Sequence, residues 1–258
     1  MHLKNYALFL LILTSLLNAR IIQTDSILST LSYILDDHYK NHQKLIIFDL
    51  DETILAPNTQ IGSTQWLDFI IEKKIRDEGL SEEQAKTCAH QLCDAILETL
   101  SLQTVEECTP TLISELQKAN IPTIALTARP KKLQFSTEQQ LSKVQIDFSQ
   151  SKTLPMYSIE LLHSNDIWYE NGIIYTGHNN KGESLIAFFQ AIEWQPQLII
   201  FVDDRIKRVQ EVDQYARKHK IKCNAFHYTY LKNRKKTKLD VGKIEDELQE
   251  FFEKKSKN

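Results

Sequence analysis

The stretch Leu45-Ile46-Ile47-Phe48-Asp49-Leu50-Asp51-Glu52-Thr53-Ile54-Leu55 limits what this chain can fold into more than any other. Leu45 to Phe48 is an apolar run of strand length, rich in branched and aromatic residues, as a strand buried on both faces of a parallel sheet would be. It stops at two aspartates one residue apart. Positions i and i+2 of an extended chain point the same way, so Asp49 and Asp51 start on one side of the strand's end. Carboxylates this close repel, and a structure keeps them together only with a cation or a shared proton. A strand ending in a polar turn explains one Asp readily. It explains Asp-x-Asp-x-Thr directly after such a strand poorly.

The remaining sequence supplies more strands of the same kind. Apolar runs at residues 121–126, 158–162, 198–202 and 222–227 read as strands, the fourth of the chain's buried runs ending at Asp203-Asp204. Ile167 to Tyr175 reads as a hairpin turning at Asn171-Gly172. Helical stripes fall at 24–39, 111–120, 204–219 and 241–254, with another run ending near Ile192. Residues 65–102 read as two helices broken at Gly79-Leu80-Ser81, the second opened by the capping pattern Ser81 to Gln84. Strands alternating with helices imply a parallel sheet with ligands at the strands' carboxyl ends. The 258 residues, 42% apolar and 25% charged, suit one α/β domain with an insertion. A net charge of −3 gives no global field toward nucleic acid or membrane, so neither is expected as a partner. The run Lys232 to Lys238 is read as a solvated charge cluster.

Residues 1–19 read as a secretory signal: Lys4, then an apolar run from Tyr6 to Leu17, then Ala19 at the expected cleavage point. The run is well short of the ~20 residues that span a bilayer. The expected product is secreted or periplasmic, without stable membrane insertion once the signal is cleaved. Four cysteines (Cys88, Cys93, Cys108, Cys223) fit an oxidising compartment, and the first three share one segment in which a bridge could form, with the pairing left open. Their irregular spacing argues against zinc.

Three apolar strands end in polar groups, Asp49/Asp51, Thr127 and Asp203/Asp204, and Lys181 opens the helix before the last of them. In order and spacing these resemble the four motifs of the haloacid dehalogenase (HAD) superfamily of phosphatases and phosphotransferases. Phe48-Asp49-Leu50-Asp51-Glu52-Thr53-Ile54-Leu55 looks like the version in secreted bacterial acid phosphatases. The resemblance covers residues 44–227, apart from the segment between the first two motifs. It implies an α/β HAD-like Rossmannoid parallel sheet flanked by helices. A small helical C1-type cap would be inserted at residues 57–102, and a β-hairpin would precede the motif III helix. Residues 20–56 and 103–258 would form the core.

By the same resemblance Asp49 is the nucleophile and Asp51 the general acid/base. Thr127 and Lys181 stabilise phosphoryl charge, and Asp49, Asp51 through its backbone carbonyl, and Asp203 hold Mg²⁺. The chemistry needs these types: a carboxylate nucleophile is repelled by an anionic phosphomonoester unless a divalent cation screens it. Many members carry a further Asp a few residues on, where this chain has Lys207 and Arg208; Asp204 is the candidate to serve instead. Arg129 is read as a surface ion pair rather than a phosphate contact, and His178 as a solvated loop residue. The signal, the Asn-Gly turn and Tyr175-Thr176-Gly177 before Lys181-Gly182 are also similar to exported HAD-like proteins of bacteria living inside eukaryotic cells, including Legionella-type organisms.

The expected function is Mg²⁺-dependent hydrolysis of a phosphomonoester, borne by a small molecule or a protein, through an aspartyl-phosphate. Two alternatives belong to other classes. A glycosyltransferase also uses Asp-x-Asp at a strand end for a metal–nucleotide complex, and a HAD-fold binding or effector protein would show little turnover. Dehalogenation is disfavoured, because Asp51 supplies an acid/base that hydrolytic dehalogenases lack there.

Overall fold

The computed structural model describes residues 21–36, 43–151, 154–162, 166–234 and 239–255. The expected signal and Lys235 to Lys238 of the basic run lie outside them. The strands are β1 (Ile22–Thr24), β2 (Lys44–Phe48), β3 (Leu55–Pro57), β4 (Leu102–Thr104), β5 (Thr123–Thr127), β6 (Ile159–Leu162), β7 (Ile167–Glu170), β8 (Ile173–Tyr175), β9 (Leu198–Asp203) and β10 (Lys222–Tyr228). The helices are α1 (Leu31–Ile34), α2 (Thr64–Glu78), α3 (Glu82–Leu97), α4 (Thr109–Lys118), α5 (Gln134–Lys143), α6 (Lys181–Ala191), α7 (Ile206–Lys218), α8 (Tyr230–Arg234) and α9 (Val241–Lys255).

Eight strands form one sheet in the order β1-β10-β9-β2-β5-β8-β7-β6. All pairings from β1 to β8 are parallel, and β7 and β6 continue the sheet antiparallel. The α/β class, with helices flanking a mostly parallel sheet, is therefore what the sequence adopts. The central strands are apolar throughout because both their faces are covered. Ile46, Phe48, Ala125, Ile200 and Val202 pack with α1, α4 and α5, while Leu45, Ile47, Ile124, Leu126, Ile199 and Phe201 pack with α6 and α7.

The insertion is helical, as expected. Ser63 caps α2, its hydroxyl accepting the Trp66 N–H at 3.2 Å, and Ser81 and Gln84 close a reciprocal capping box on α3. Antiparallel β3 and β4 gather the insertion at its base. The third apolar cluster joins Trp66, Leu67 and Ile70 of α2 and Cys93 and Ile96 of α3 to Ile244 and Phe251 of α9, so the last helix is part of the cap's packing. Glu247 of α9 also accepts the N–H groups of Gln60 (2.8 Å) and Ile61 (3.0 Å).

Two expectations are corrected. All four cysteines are free thiols: Cys93 and Cys223 are buried, Cys88 and Cys108 partly so. The helix expected from residue 24 is instead a strand, β1, a short 3-10 turn at Ile27–Thr30 and the brief α1. Glu106 holds this segment to the core, accepting the Ile27 N–H and the Tyr228 O–H, each at 2.6 Å. Among the described residues no helix is long and apolar enough to cross a membrane.

The β7–β8 turn is the two-residue Asn-Gly form, with φ of 50° at Asn171 and 77° at Gly172. A Cβ on Gly172 would lie 2.4 Å from the Phe148 carbonyl oxygen, and the Gly172 carbonyl accepts the Ala125 N–H at 2.9 Å. Gly172→Ala should thus add a backbone clash to the left-handed strain and cost ~2 kcal/mol or more. Equilibrium urea unfolding reads this directly; a cost within error of zero would contradict the close approach.

Candidate active site

Strand register builds the site. Phe48 lies opposite Val202 on one side and Ala125 on the other, so the residues following them end in a row: Asp203, Asp49 and, on β5, Thr127. The Asp49 N–H donates to the Val202 carbonyl at 2.9 Å, carrying the alignment one residue past the strand. Asparagine 180 caps α6, its side chain accepting the Glu183 N–H at 3.0 Å. Gly182 lets that first turn rest on α7, where a Cβ would meet the Glu211 carbonyl oxygen at 2.4 Å. Lys181 is thereby aimed at the strand ends.

Its ammonium donates to Asp49 Oδ1 and, at 2.7 Å, to Asp203 Oδ2, and all three side chains are buried. Carboxylate oxygens of Asp49, Asp203 and half-buried Asp204 lie within 4.8 Å of one another. Thr53 ties them together: its hydroxyl donates to Asp49 Oδ2 at 3.2 Å and accepts the Asp204 N–H at 3.1 Å. Burial pushes the Asp49 carboxyl up to about 7; Lys181 pulls it down, while Asp203 and Asp51 push it further up. Asp204 is likewise raised well above the usual range by burial and by its neighbours Asp203 and Asp49. Burial works against the Lys181 charge, but Asp203 and Asp49 outweigh it and the ammonium is held more firmly than usual.

Asp51 stands apart from this acidic group. Arg129 grips its carboxylate with two donors, Nε to Oδ2 at 2.9 Å and Nη2 to Oδ1 at 2.7 Å. The expected ion pair of Arg129 is real, but it is a buried one: the residue is only 2% exposed and its partner is the second motif aspartate. Thr127 is wholly buried and does not line the cavity; its hydroxyl accepts the Arg129 N–H at 3.2 Å. Ala128 and Arg129, which follow it, do line the cavity.

The insertion walls one side of the cavity over these groups, with Ser63, Leu67, His90, Cys93, Asp94 and Leu97 lining it. His178 is an exposed turn residue, as read, but it also borders the cavity. It lies in the wall, its ring 4.1 Å from that of His90 and its Nε2 3.9 Å from Asp94 Oδ1. Burial and the neighbouring His178 push His90 down to about 4, and burial also lowers His178 while Asp94 works against that. Arg205 and Arg208 complete the rim. Arg205 pairs with Asp68 of the cap at 3.2 Å, and Arg208 donates to the Asn179 carbonyl at 3.0 Å and to Glu211 at 2.9 Å. Sequence reasoning missed His90, Asp94, Arg205 and Arg208, which carry no local motif; the i, i+4 spacing of His90 and Asp94 on one helix face was the only available signal.

The arrangement offers a buried carboxylate against a buried cation, a second carboxylate on a separate support and an all-oxygen acidic cluster beneath the insertion. Comparison with known proteins gives relatives at low identity. A Chlamydia pneumoniae protein named "Putative outer membrane protein" is 24% identical over 183 residues, 71% of this chain and 68% of its own. A Chlamydia trachomatis protein with the same name is 25% identical over 191 residues, 74% and 71% of the two chains. Among solved structures, a "Putative Phosphatase" from Clostridium difficile is 15% identical with a TM-score of 0.41, covering 71% of this chain and 84% of its own. A "putative beta-phosphoglucomutase" from Thermotoga maritima is 12% identical with a TM-score of 0.39, covering 76% and 100%. A family model described as "Protein of unknown function (DUF2608)" matches residues 23–256, and the chain belongs to that family.

Proposed function

We propose that the chain is a Mg²⁺-dependent phosphomonoester hydrolase of the HAD type. The observation that carries this reading is the convergence of Asp49, Asp203 and Asp204 within 4.8 Å beside buried Lys181, with Asp51 close by on its own support. The donor set fits Mg²⁺, a hard ion that takes oxygen ligands. The burial and mutual repulsion that raise Asp49 and Asp204 are what a divalent cation relieves. Asp49, Asp203 and Asp204 would hold it, with the Asp51 backbone carbonyl as the further ligand that the resemblance implies. Bound there, the ion would screen the anionic substrate from the carboxylates.

The residues then divide the chemistry. Asp49 attacks phosphorus, the bond from phosphorus to the leaving oxygen breaks, and a protonated Asp51 gives its proton to that oxygen. In the second half Asp51 takes a proton from water as it attacks the aspartyl-phosphate, releasing phosphate and restoring the Asp49 carboxylate. Lys181 stabilises charge on the phosphoryl oxygens. The cap wall excludes bulk water, which strengthens each of these interactions. Thr127 supports the site by holding the Arg129 backbone rather than by lining the cavity.

Export is part of the proposal. The apolar run after Lys4 supports it, as do relatives named for the outer membrane. The mature chain is expected to begin near Arg20 in the periplasm or beyond. N-terminal sequencing of that fraction checks this, and recovery of only full-length chain from the cytosol would refute it.

Two further outcomes test the site. The folded Asp49 carboxyl titrates near 7, against an ordinary 3.8, so between those values the folded protein binds more protons than the unfolded chain. In Mg²⁺-free buffer its contribution to stability is full below about pH 4 and is lost as the pH rises through about 7. Mg²⁺ at ~100 times its dissociation constant should raise Tm by ~5–10 °C at pH 7.5. Asp49→Asn should flatten the pH slope and shrink the Mg²⁺ response. A Tm indifferent to Mg²⁺ in the parent protein would remove the metal site.

The second outcome concerns turnover. Asp49→Asn should abolish hydrolysis while leaving the protein folded. Asp51→Asn should cost ~10²-fold more on alkyl phosphates than on p-nitrophenyl phosphate, whose leaving group departs without a proton. Asp203→Asn should depress both substrates alike. Equal losses on both substrates for Asp51→Asn would mean that it is not the acid.

A further inference from the structure

The Arg129 guanidinium does not end at Asp51. Its Nη1 donates to the Thr137 hydroxyl at 2.9 Å and to Gln140 Oε1 at 2.7 Å, so four of its five donors are placed by α5 and Asp51 together. Gln140, only 4% exposed, in turn donates through Nε2 to the carbonyls of Leu97 (2.6 Å) and Leu100 (3.0 Å). The partners dictate the amide's orientation: backbone carbonyls only accept and a guanidinium only donates, so the nitrogen must face the cap and the oxygen Arg129. Leu97 is the last residue of α3, and Leu100 lies on the short return from the cap to β4. The Leu97 carbonyl is at a helix end and has no partner inside the helix, and the Leu100 carbonyl lies just beyond that helix.

Resting on the phosphatase reading, we infer that Gln140 is a positioning residue that couples the cap to the general acid. A continuous hydrogen-bonded path runs from the end of α3 through Gln140 and Arg129 to both oxygens of Asp51. Every member is buried or half-buried, and each of the two relays is committed on both sides. The cap's exit is the part of the insertion that must shift if the lid opens. Any movement there changes what Gln140 can give Arg129, and thus how Arg129 presents Asp51 to the leaving oxygen. The cap then does more than exclude water: its seated position sets the orientation of the acid.

The test uses the full mature chain with Gln140→Met, which fills the space but removes both relays, and Gln140→Glu. The Glu variant keeps the shape, repels the two carbonyls and competes with Asp51 for the guanidinium. Each should lose ~10-fold in kcat on an alkyl phosphate and less than ~2-fold on p-nitrophenyl phosphate, with KM little changed; tenfold is 1.36 kcal/mol of barrier. In an Asp51→Asn background the same substitutions should leave the alkyl-to-aryl ratio unaltered, because the path has lost its end. Equal losses on both substrates, or a ratio that still shifts without Asp51, would overturn the inference.

Amide hydrogen exchange decides it independently of turnover. Gln140→Met should speed exchange both at residues 97–102 and at residues 49–53, whereas faster exchange at only one end would break the proposed path. A parent protein that hydrolyses neither substrate would sink the phosphatase reading, while the exchange result would still decide the coupling.

Discussion

One buried ammonium holds the arrangement together. Lys181 bridges Asp49 at the end of β2 and Asp203 at the end of β9, each at most 5% exposed. Two carboxylates on adjacent strands of a dry sheet edge would otherwise repel, and losing a partner of a buried ion pair leaves an uncompensated charge. Much of the local structure serves this one cation. Asn180 caps its helix, Gly182 lets that helix sit against α7, and the Lys181 N–H donates to Glu211 at 3.1 Å. The sheet supplies the rest by register alone, because β2 and β9 end at the same level.

The two motif aspartates, separated by one residue in sequence, end up with different partners. Asp49 faces Lys181 and the acidic group, whereas Asp51 turns to Arg129. The chain turns sharply between them and beyond. Glu52 has a φ of 62°, and the Ile54 and Leu55 N–H groups both donate to the Leu50 carbonyl. Two chemically identical side chains thereby gain opposite electrostatic environments. A carboxylate whose burial works against its charge sits beside one whose charge is matched by a guanidinium.

The central sheet was legible because strands buried on both faces must be apolar without interruption, and 45–48 and 198–202 are. The cap helices were legible through Ser81 and Gln84, since a capping box is written in two residues at fixed spacing. The Asn171-Gly172 turn was equally local. What escaped was short or needed distant partners. β1, β3 and β4 have three residues each, too few for a period to show. Gln134 to Lys143 forms α5 although its exposed face is polar and its buried positions include Ser136, Thr137 and Gln140. The same holds for the site: Asp49, Lys181, Asp203 and Asp204 could be found from strand ends, but nothing near Arg129 in sequence names Asp51 as its partner. The contact between His178 and His90 was hidden because the two lie 88 positions apart in sequence. The bridge that the clustered cysteines allowed is absent for a related reason: proximity in sequence does not bring thiols together when α3 directs Cys88 and Cys93 to different surroundings.

The two ends of the fold have a consequence for how it is made. The earliest described strand, β1, pairs with β10, Ile22 opposite Phe226, and the last helix packs into the insertion begun nearly two hundred residues before it. Neither the sheet edge nor the lid can be completed from a partly emerged chain. Contacts of such long separation require large loops to close before any contact rewards them, which slows the final step. The sheet edge at β1 and the packing of the insertion on α9 therefore wait on segments late in the sequence.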